Sequence, residues 1–154
     1  IDSVATLVGT RPDEIVTGVE RKLTELREAQ DELKALRARL ASGRASELAA
    51  SAQDGIVCAR VDGLSAGDMR DLVVAVRQVP GTRAAILCGV TDSGGVSLVS
   101  GFPVAAGDLI KEAARAIGGG GGGKGDVATA GGKDPSGIDE ALRTAGEKAR
   151  SAAA

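Results

Sequence analysis

The spacing of apolar residues changes partway along this chain, and the change separates two kinds of structure. Ile1, Val4, Leu7 and Val8 recur at helical spacing, which predicts a short helix ended by Gly9. Thr10 then offers an N-cap, Pro12 suits a first turn, and Asp13 and Glu14 suit the positive end of a helix dipole. A long helix is predicted from Arg11 to Ala41. Val19, Leu26, Leu33 and Leu40 fall seven apart, with Ala29 and Leu36 on the adjoining row. Charged residues surround them, so the apolar seam is narrow, as on a helix that pairs with another helix. Lys22 interrupts it at a d position. Ser42 and Gly43 weaken the pattern, and a further helical piece, Ala45 to Ala52, carries Leu48. One arrangement this allows is an antiparallel helix pair turning at Ser42 and Gly43. The second piece is too short to cover the seam. The uncovered part points to a partner chain or a neighbouring domain.

Beyond the break at Gln53, Asp54 and Gly55, short apolar runs replace the helical period. GIVCARV, AAILCGV and VSLVSGF predict three strands. Between the first two, Ser65 caps a helix that buries Met69, Leu72, Val73 and Val76, with Asp68 placed as in a capping box. Pro80 and Gly81 end that helix. A strand, a helix and a strand predict a right-handed parallel crossover. The short TDSGG link predicts an antiparallel hairpin. Asp108 to Ile117 is a predicted helix with Leu109, Ile110, Ala113, Ala114 and Ile117 inward. VATA (Val127 to Ala130) adds a short strand. A last helix starts at Pro135, with Ile138, Leu142 and Ala145 inward and a tail expected to fray. The expected fold is a small α/β (α+β) sheet covered by helices over residues 53–154, preceded by a long helical, coiled-coil-like arm over residues 1–52.

Composition narrows the chemistry. The chain has 154 residues, which suits one domain with a helical appendage. Its first residue is Ile1, and it is read as a piece of a longer protein. The core residues are small, so modest stability is expected. Net charge is -2, so any nucleic-acid contact must use a local basic face. With one Phe and no Tyr or Trp, base stacking on aromatic platforms is not expected. The absence of His removes the commonest general base and metal ligand. Cys58 and Cys88 lie inside strand-like runs and are expected to be buried thiols, with no disulfide and no zinc site. The carboxylates are scattered over helix surfaces, where solvation explains them. No apolar run approaches the roughly 18 residues of a membrane span, and no secretory leader is visible. The expectation is a cytoplasmic, non-catalytic chain without a cofactor.

One stretch resists the ordinary readings. Residues 118–132 read GGGGGGKGDVATAGG. A flexible tether is one explanation. Serine is absent, however, and the residues that follow do not repeat. A glycine backbone can instead approach a flat or anionic ligand closely. Gly118 and Gly123 with Lys124 fit a phosphate loop, but Gly125 stands where Ser or Thr must hold magnesium. The run also follows a helix rather than a strand, so nucleotide hydrolysis is not expected. Lys111 and Arg115, four apart, share a helix face, and Lys133 closes the segment. A basic rim around Gly118, Gly119, Gly120, Gly121, Gly122, Gly123 and Lys124 is one reading, and ordinary solvation of Lys111 and Arg115 is the other.

The run GGGGGGK, followed by G-D-V-A-x-A-G-G, resembles the glycine-rich signature of the C-terminal domain of alanyl-tRNA synthetases, in the DHH-associated superfamily. The resemblance extends over nearly the whole chain. The family usually has proline where Gly125 stands. Members attached to DHH phosphoesterases typically carry His where this chain has Lys124, and their Asp-His-His metal motif is absent. The resemblance implies an accessory domain that binds the outer corner of alanine-specific tRNA, where the D and T loops meet. It implies catalytic and editing domains upstream that share the tethered tRNA. It also implies a part for the arm in dimer formation in some members, which would fall to Val19, Leu26, Leu33, Leu36 and Leu40.

Overall fold

A computed structural model describes residues 2–103, 106–123 and 125–153. The chain divides into two compact units, Ile1–Leu40 and Ala41–Ala154. In the first, α1 (Asp2–Val8) is followed by a 3-10 turn, Pro12–Glu14, and then by α2, which begins at Ile15. Thr10 is not the cap. Arg11 holds the extended position before the turn, and proline's fixed φ starts the turn without a capping side chain. Gly18 lets this junction close, since a Cβ there would stand 2.7 Å from the Thr10 methyl and 2.8 Å from that of Val8.

The helix pair that the sequence allows at Ser42 and Gly43 does not form. α2 runs unbroken over Ile15–Ala50. Gly43 costs a helix only about 1 kcal/mol relative to alanine, and Ala41, Arg44 and Ala45 around it are strong helix formers. The Ser46 hydroxyl donates to the Ser42 carbonyl at 3.2 Å, within the helix rather than against it. Ala45 is buried and Leu48 packs beside it, both against the core of the second unit rather than against the seam.

The second unit is α+β. Its five strands are β1 (Ile56–Arg60), β2 (Ala84–Val90), β3 (Val96–Gly101), β4 (Gly120–Gly122) and β5 (Val127–Gly132). They lie in the order β1-β2-β3-β5-β4. β1 and β2 are parallel, while β2–β3, β3–β5 and β5–β4 are antiparallel. One face packs α4 (Ala106–Ala116) and α5 (Ile138–Ala153) over Ile86, Cys88, Leu98 and Ala130. The other packs α3 (Ala66–Gln78) over Val57, Leu87 and Val99. Ser65 caps α3 as expected, its Oγ accepting the Asp68 N–H at 3.1 Å. The Ser65 hydroxyl in turn donates to the Asp68 carboxylate at 2.8 Å. The tail does not fray, because Ala145, Gly146 and Ala149 keep α5 buried nearly to its end. Cys88 is buried and Cys58 half-buried, both as free thiols. Burial pushes the Cys88 thiol up to about 12 and the Cys58 thiol upward, so neither is a ready nucleophile. Among the described residues no helix is long and apolar enough to cross a membrane.

Candidate nucleic-acid interface

The glycine run leaves α4 through a Schellman turn. The Gly118 N–H donates to the Arg115 carbonyl and the Gly119 N–H to the Ala114 carbonyl, both at 3.0 Å. Gly118 takes φ +63°, a left-handed conformation that a Cβ penalises. The chain then does not remain a loop. Gly120–Gly122 form β4 on the sheet edge, paired with the second glycine pair and its neighbours in the register Gly120–Gly131, Gly121–Ala130 and Gly122–Thr129. Pairing with β5 satisfies backbone groups that a glycine loop would leave to water, which offsets the weak strand preference of glycine.

Alternate glycines have opposite reasons to be glycine. A Cβ on Gly119 would overlap the Gly131 carbonyl, and one on Gly121 would stand 2.5 Å from the Thr129 oxygen. A Cβ on Gly123 would lie 2.8 Å from the Ala128 Cα. Gly107, in the first turn of α4, leaves room for the Gly123 carbonyl at 2.5 Å from where its Cβ would sit. These glycines are demanded by packing. Around Gly120 and Gly122 no atom lies within 4 Å of an added Cβ, and neither has positive φ. Both are exposed. The fold would accept a side chain at either position.

The register places this open side. Gly121 pairs with Ala130, whose side chain packs under α4 and α5, so Gly120 and Gly122 face the α3 side. Lys111 and Arg115 are elsewhere. They line an open groove with Asp108, Glu112 and Lys148 on the α4–α5 layer. Lys111 pairs with Asp108 at 2.7 Å and Lys148 with Glu112 at 3.3 Å. Among the described residues Arg115 has no ion-pair partner, and Lys133 is exposed just past β5. The structure thus gathers Lys111, Arg115 and Lys148 in one groove and sets the open glycines on the opposite side of the sheet. Lys124 lies outside the described residues.

The cations on the α3 side are ones that sequence reading passed over. Arg77 donates from Nη1 to the Asp126 carboxylate at 2.8 Å and to its carbonyl at 3.3 Å. This anchors the segment returning from the glycine run. Gly101 makes room, since its Cβ would lie 2.5 Å from the Arg77 Cδ. Arg70, two turns earlier on α3, also feels Asp126. The seven-residue spacing of Arg70 and Arg77 was visible; their partner was not.

The hydrogen bond from Arg77 holds the Asp126 carboxyl below its usual range. The anchor is therefore complete above the unfolded carboxylate value, about 3.9, and is lost as pH falls through the lower folded value. A carboxyl-carbon NMR titration should find Asp126 below the ordinary midpoint, and Arg77→Ala should raise it toward that midpoint. An unchanged midpoint in the variant would show that Arg77 does not hold the segment.

Comparison with known proteins adds the lineage. Residues 53–151 match the DHHA1 domain. An alanine–tRNA ligase of Polynucleobacter asymbioticus is 37% identical over 152 residues, covering 92% of this chain and 17% of the ligase. That of Chlorobaculum tepidum is 37% identical over 157 residues, with the same coverage of 92% and 17%. The chain thus spans about a sixth of these relatives. The crystal structure of the C-Ala domain from Aquifex aeolicus alanyl-tRNA synthetase aligns with a TM-score of 0.49 at 26% identity, over 57% of this chain and 84% of that one. From residue 53 onward, the chain belongs to the DHHA1 domain family.

Proposed function

We propose that this chain is the non-catalytic, tRNA-binding portion of an alanine–tRNA ligase, and that the open side of β4 is laid against the RNA. The observation carrying this reading is the bare backbone at Gly120 and Gly122, where the fold leaves room for side chains. A surface that must be approached closely from outside accounts for their absence. The matched relatives are ligases of alanine and tRNA by name, and the outer corner of alanine-specific tRNA suits contact by shape and backbone. Holding that corner would keep one tRNA tethered while aminoacylation and editing domains upstream share its acceptor end. Lys124 would meet a phosphate beside the glycines. A cytoplasmic setting follows from the same reading.

The test is binding of labelled tRNA across a salt series, with intact tRNA set against a variant whose D and T loops cannot dock. The label goes on the RNA because the protein has no Trp or Tyr. Binding should be lost with the corner, and Lys124→Ala should reduce the salt slope by about 1. Equal binding to both RNAs would overturn the proposal.

A second reading, compatible with the first, is assembly through α2. Leu26 and Leu33 on the seam are 53% and 49% exposed, and Val19, Leu23, Leu36 and Leu40 are exposed too. An apolar stripe of this kind gains by pairing with its like. Sedimentation should show a homodimer that Leu26→Asp with Leu33→Asp dissolves while the sheet stays folded. A wild-type chain that is monomeric at high concentration would sink this reading.

A further inference from the structure

We propose that Asp54 is a site of spontaneous backbone modification, where the Gly55 nitrogen closes on the Asp54 carboxyl and the residue passes through a cyclic imide to isoaspartate. The chain has two Asp-Gly pairs, Asp54-Gly55 and Asp62-Gly63. In both, the residue after aspartate has no Cβ, so ring closure meets little steric resistance. The fold leaves the first pair free to react and locks the second.

Residues 53–56 make a tight turn that leads the chain from α2 into β1. The Ile56 N–H donates to the Gln53 carbonyl at 2.9 Å, and the Gln53 N–H to the Ile56 carbonyl at 3.0 Å. Asp54 at φ +54° and Gly55 at φ +77° give the turn type I′ geometry. Among the described residues Asp54 is the one residue other than glycine at positive φ. Its side chain is exposed. Among the described residues neither its carboxylate, its carbonyl nor the Gly55 N–H has a hydrogen-bond partner. A half-turn of the Asp54–Gly55 peptide plane therefore breaks no hydrogen bond. It converts type I′ to type II′, which keeps Asp54 at positive φ. It also carries the Gly55 nitrogen round to the side of the Asp54 Cβ, within reach of the carboxyl. The Gly55 carbonyl, which accepts the Arg83 N–H at 2.6 Å, stays in place.

Asp62-Gly63 is held at both reacting ends. The Asp62 carboxylate accepts the Val90 N–H at 2.9 Å and the Arg60 Nε–H at 3.0 Å. These bonds hold its carboxyl below the usual range, so the neutral acid, which is the better electrophile, is scarce. The Gly63 N–H donates to the Val90 carbonyl at 2.8 Å, and turning that peptide would break the bond.

The reaction at Asp54 needs no reagent but water. The Gly55 nitrogen bonds to the Asp54 Cγ and gives up its proton, and one carboxyl oxygen leaves as water. Water then opens the imide. Attack at the Cγ carbonyl restores aspartate. Attack at the main-chain carbonyl leaves the chain running through Cβ and frees an α-carboxylate. The extra main-chain atom no longer fits the paired Gln53 and Ile56 bonds. The freed α-carboxylate is a group that a repair methyltransferase using S-adenosylmethionine can esterify.

The 154-residue chain, aged in its folded state at neutral pH, tests this. Digestion and electron-transfer fragmentation distinguish isoaspartate from aspartate at each position. Isoaspartate should build up several-fold faster at Asp54 than at Asp62. In urea the two rates should converge, since both pairs then lie in an open chain. Labelled S-adenosylmethionine with an isoaspartyl methyltransferase should mark the aged folded chain. Asp54→Gly, which suits a positive φ, should remove most of that label. Equal rates at Asp54 and Asp62 in the folded chain would overturn the proposal. So would an Asp54 that reacts in urea but not when folded, or a label undiminished in the folded Asp54→Gly chain.

Discussion

Gly121→Ala should lower the melting temperature by about 6 °C, whereas Gly122→Ala, one residue on, should leave it unchanged or slightly raised. At Gly121 the new methyl meets the backbone of β5, including the Thr129 oxygen at 2.5 Å, and no flexible end can move aside. β4 must lift from β5. Overpacking of this kind costs about 1–3 kcal/mol, and each kcal/mol lowers the melting temperature by about 2–4 °C in a chain of this length. At Gly122 the methyl enters open space, and alanine gives up less backbone entropy than glycine on folding. Binding should follow a different order. Gly122→Ala should weaken tRNA about tenfold, a loss of about 1.4 kcal/mol, with the fold intact. Calorimetry and labelled-tRNA titration of both variants separate the two reasons for glycine. Tight binding by Gly122→Ala would show that the open side of β4 is not the RNA face.

Gly89→Ala should be the most damaging single methyl addition in the sheet, costing about 4 kcal/mol. Its Cβ would overlap the Val61 carbonyl, where the connection from β1 to α3 crosses β2. That crossing is pinned by Val61 N–H to the Cys88 carbonyl at 2.9 Å, and by Gly63 N–H to the Val90 carbonyl at 2.8 Å. The Val90 N–H also donates to the Asp62 carboxylate at 2.9 Å. Lifting the connection loses these bonds, each worth about 1 kcal/mol net, on top of the overpacking itself. Urea unfolding reads the effect directly. A midpoint like that of the wild type would mean that the crossing can shift freely.

Much of this was legible in the residues. The strands at AAILCGV and VSLVSGF, the Ser65 cap, and the inward faces of α3 and α4 follow from local spacing, and local spacing is what secondary structure reads first. The glycine run announced a special surface, because no ordinary core or loop needs so many residues without side chains. Two local readings failed for one reason. Ser42 with Gly43 are weak helix formers, and the AGEKARSAAA tail offers alanine as its only apolar side chain. Burial of Ala45 in the first case and of Ala149 in the second outweighs that weakness.

The order of residues therefore settled which segments are helix or strand, which faces are apolar, and where the bare backbone lies, since each depends on neighbours a few positions away. It left open that the glycines would become an edge strand, and that their parity would divide positions closed to a Cβ from positions open to one. Those outcomes depend on Ala130 and Thr129 lying opposite Gly121 and Gly122, a register set only when the sheet closes. The same closure carried Lys111 and Arg115 to the α4–α5 groove and set Arg77 beside Asp126, 49 residues away in the chain. Pairings over such separations carry no periodic trace in the sequence.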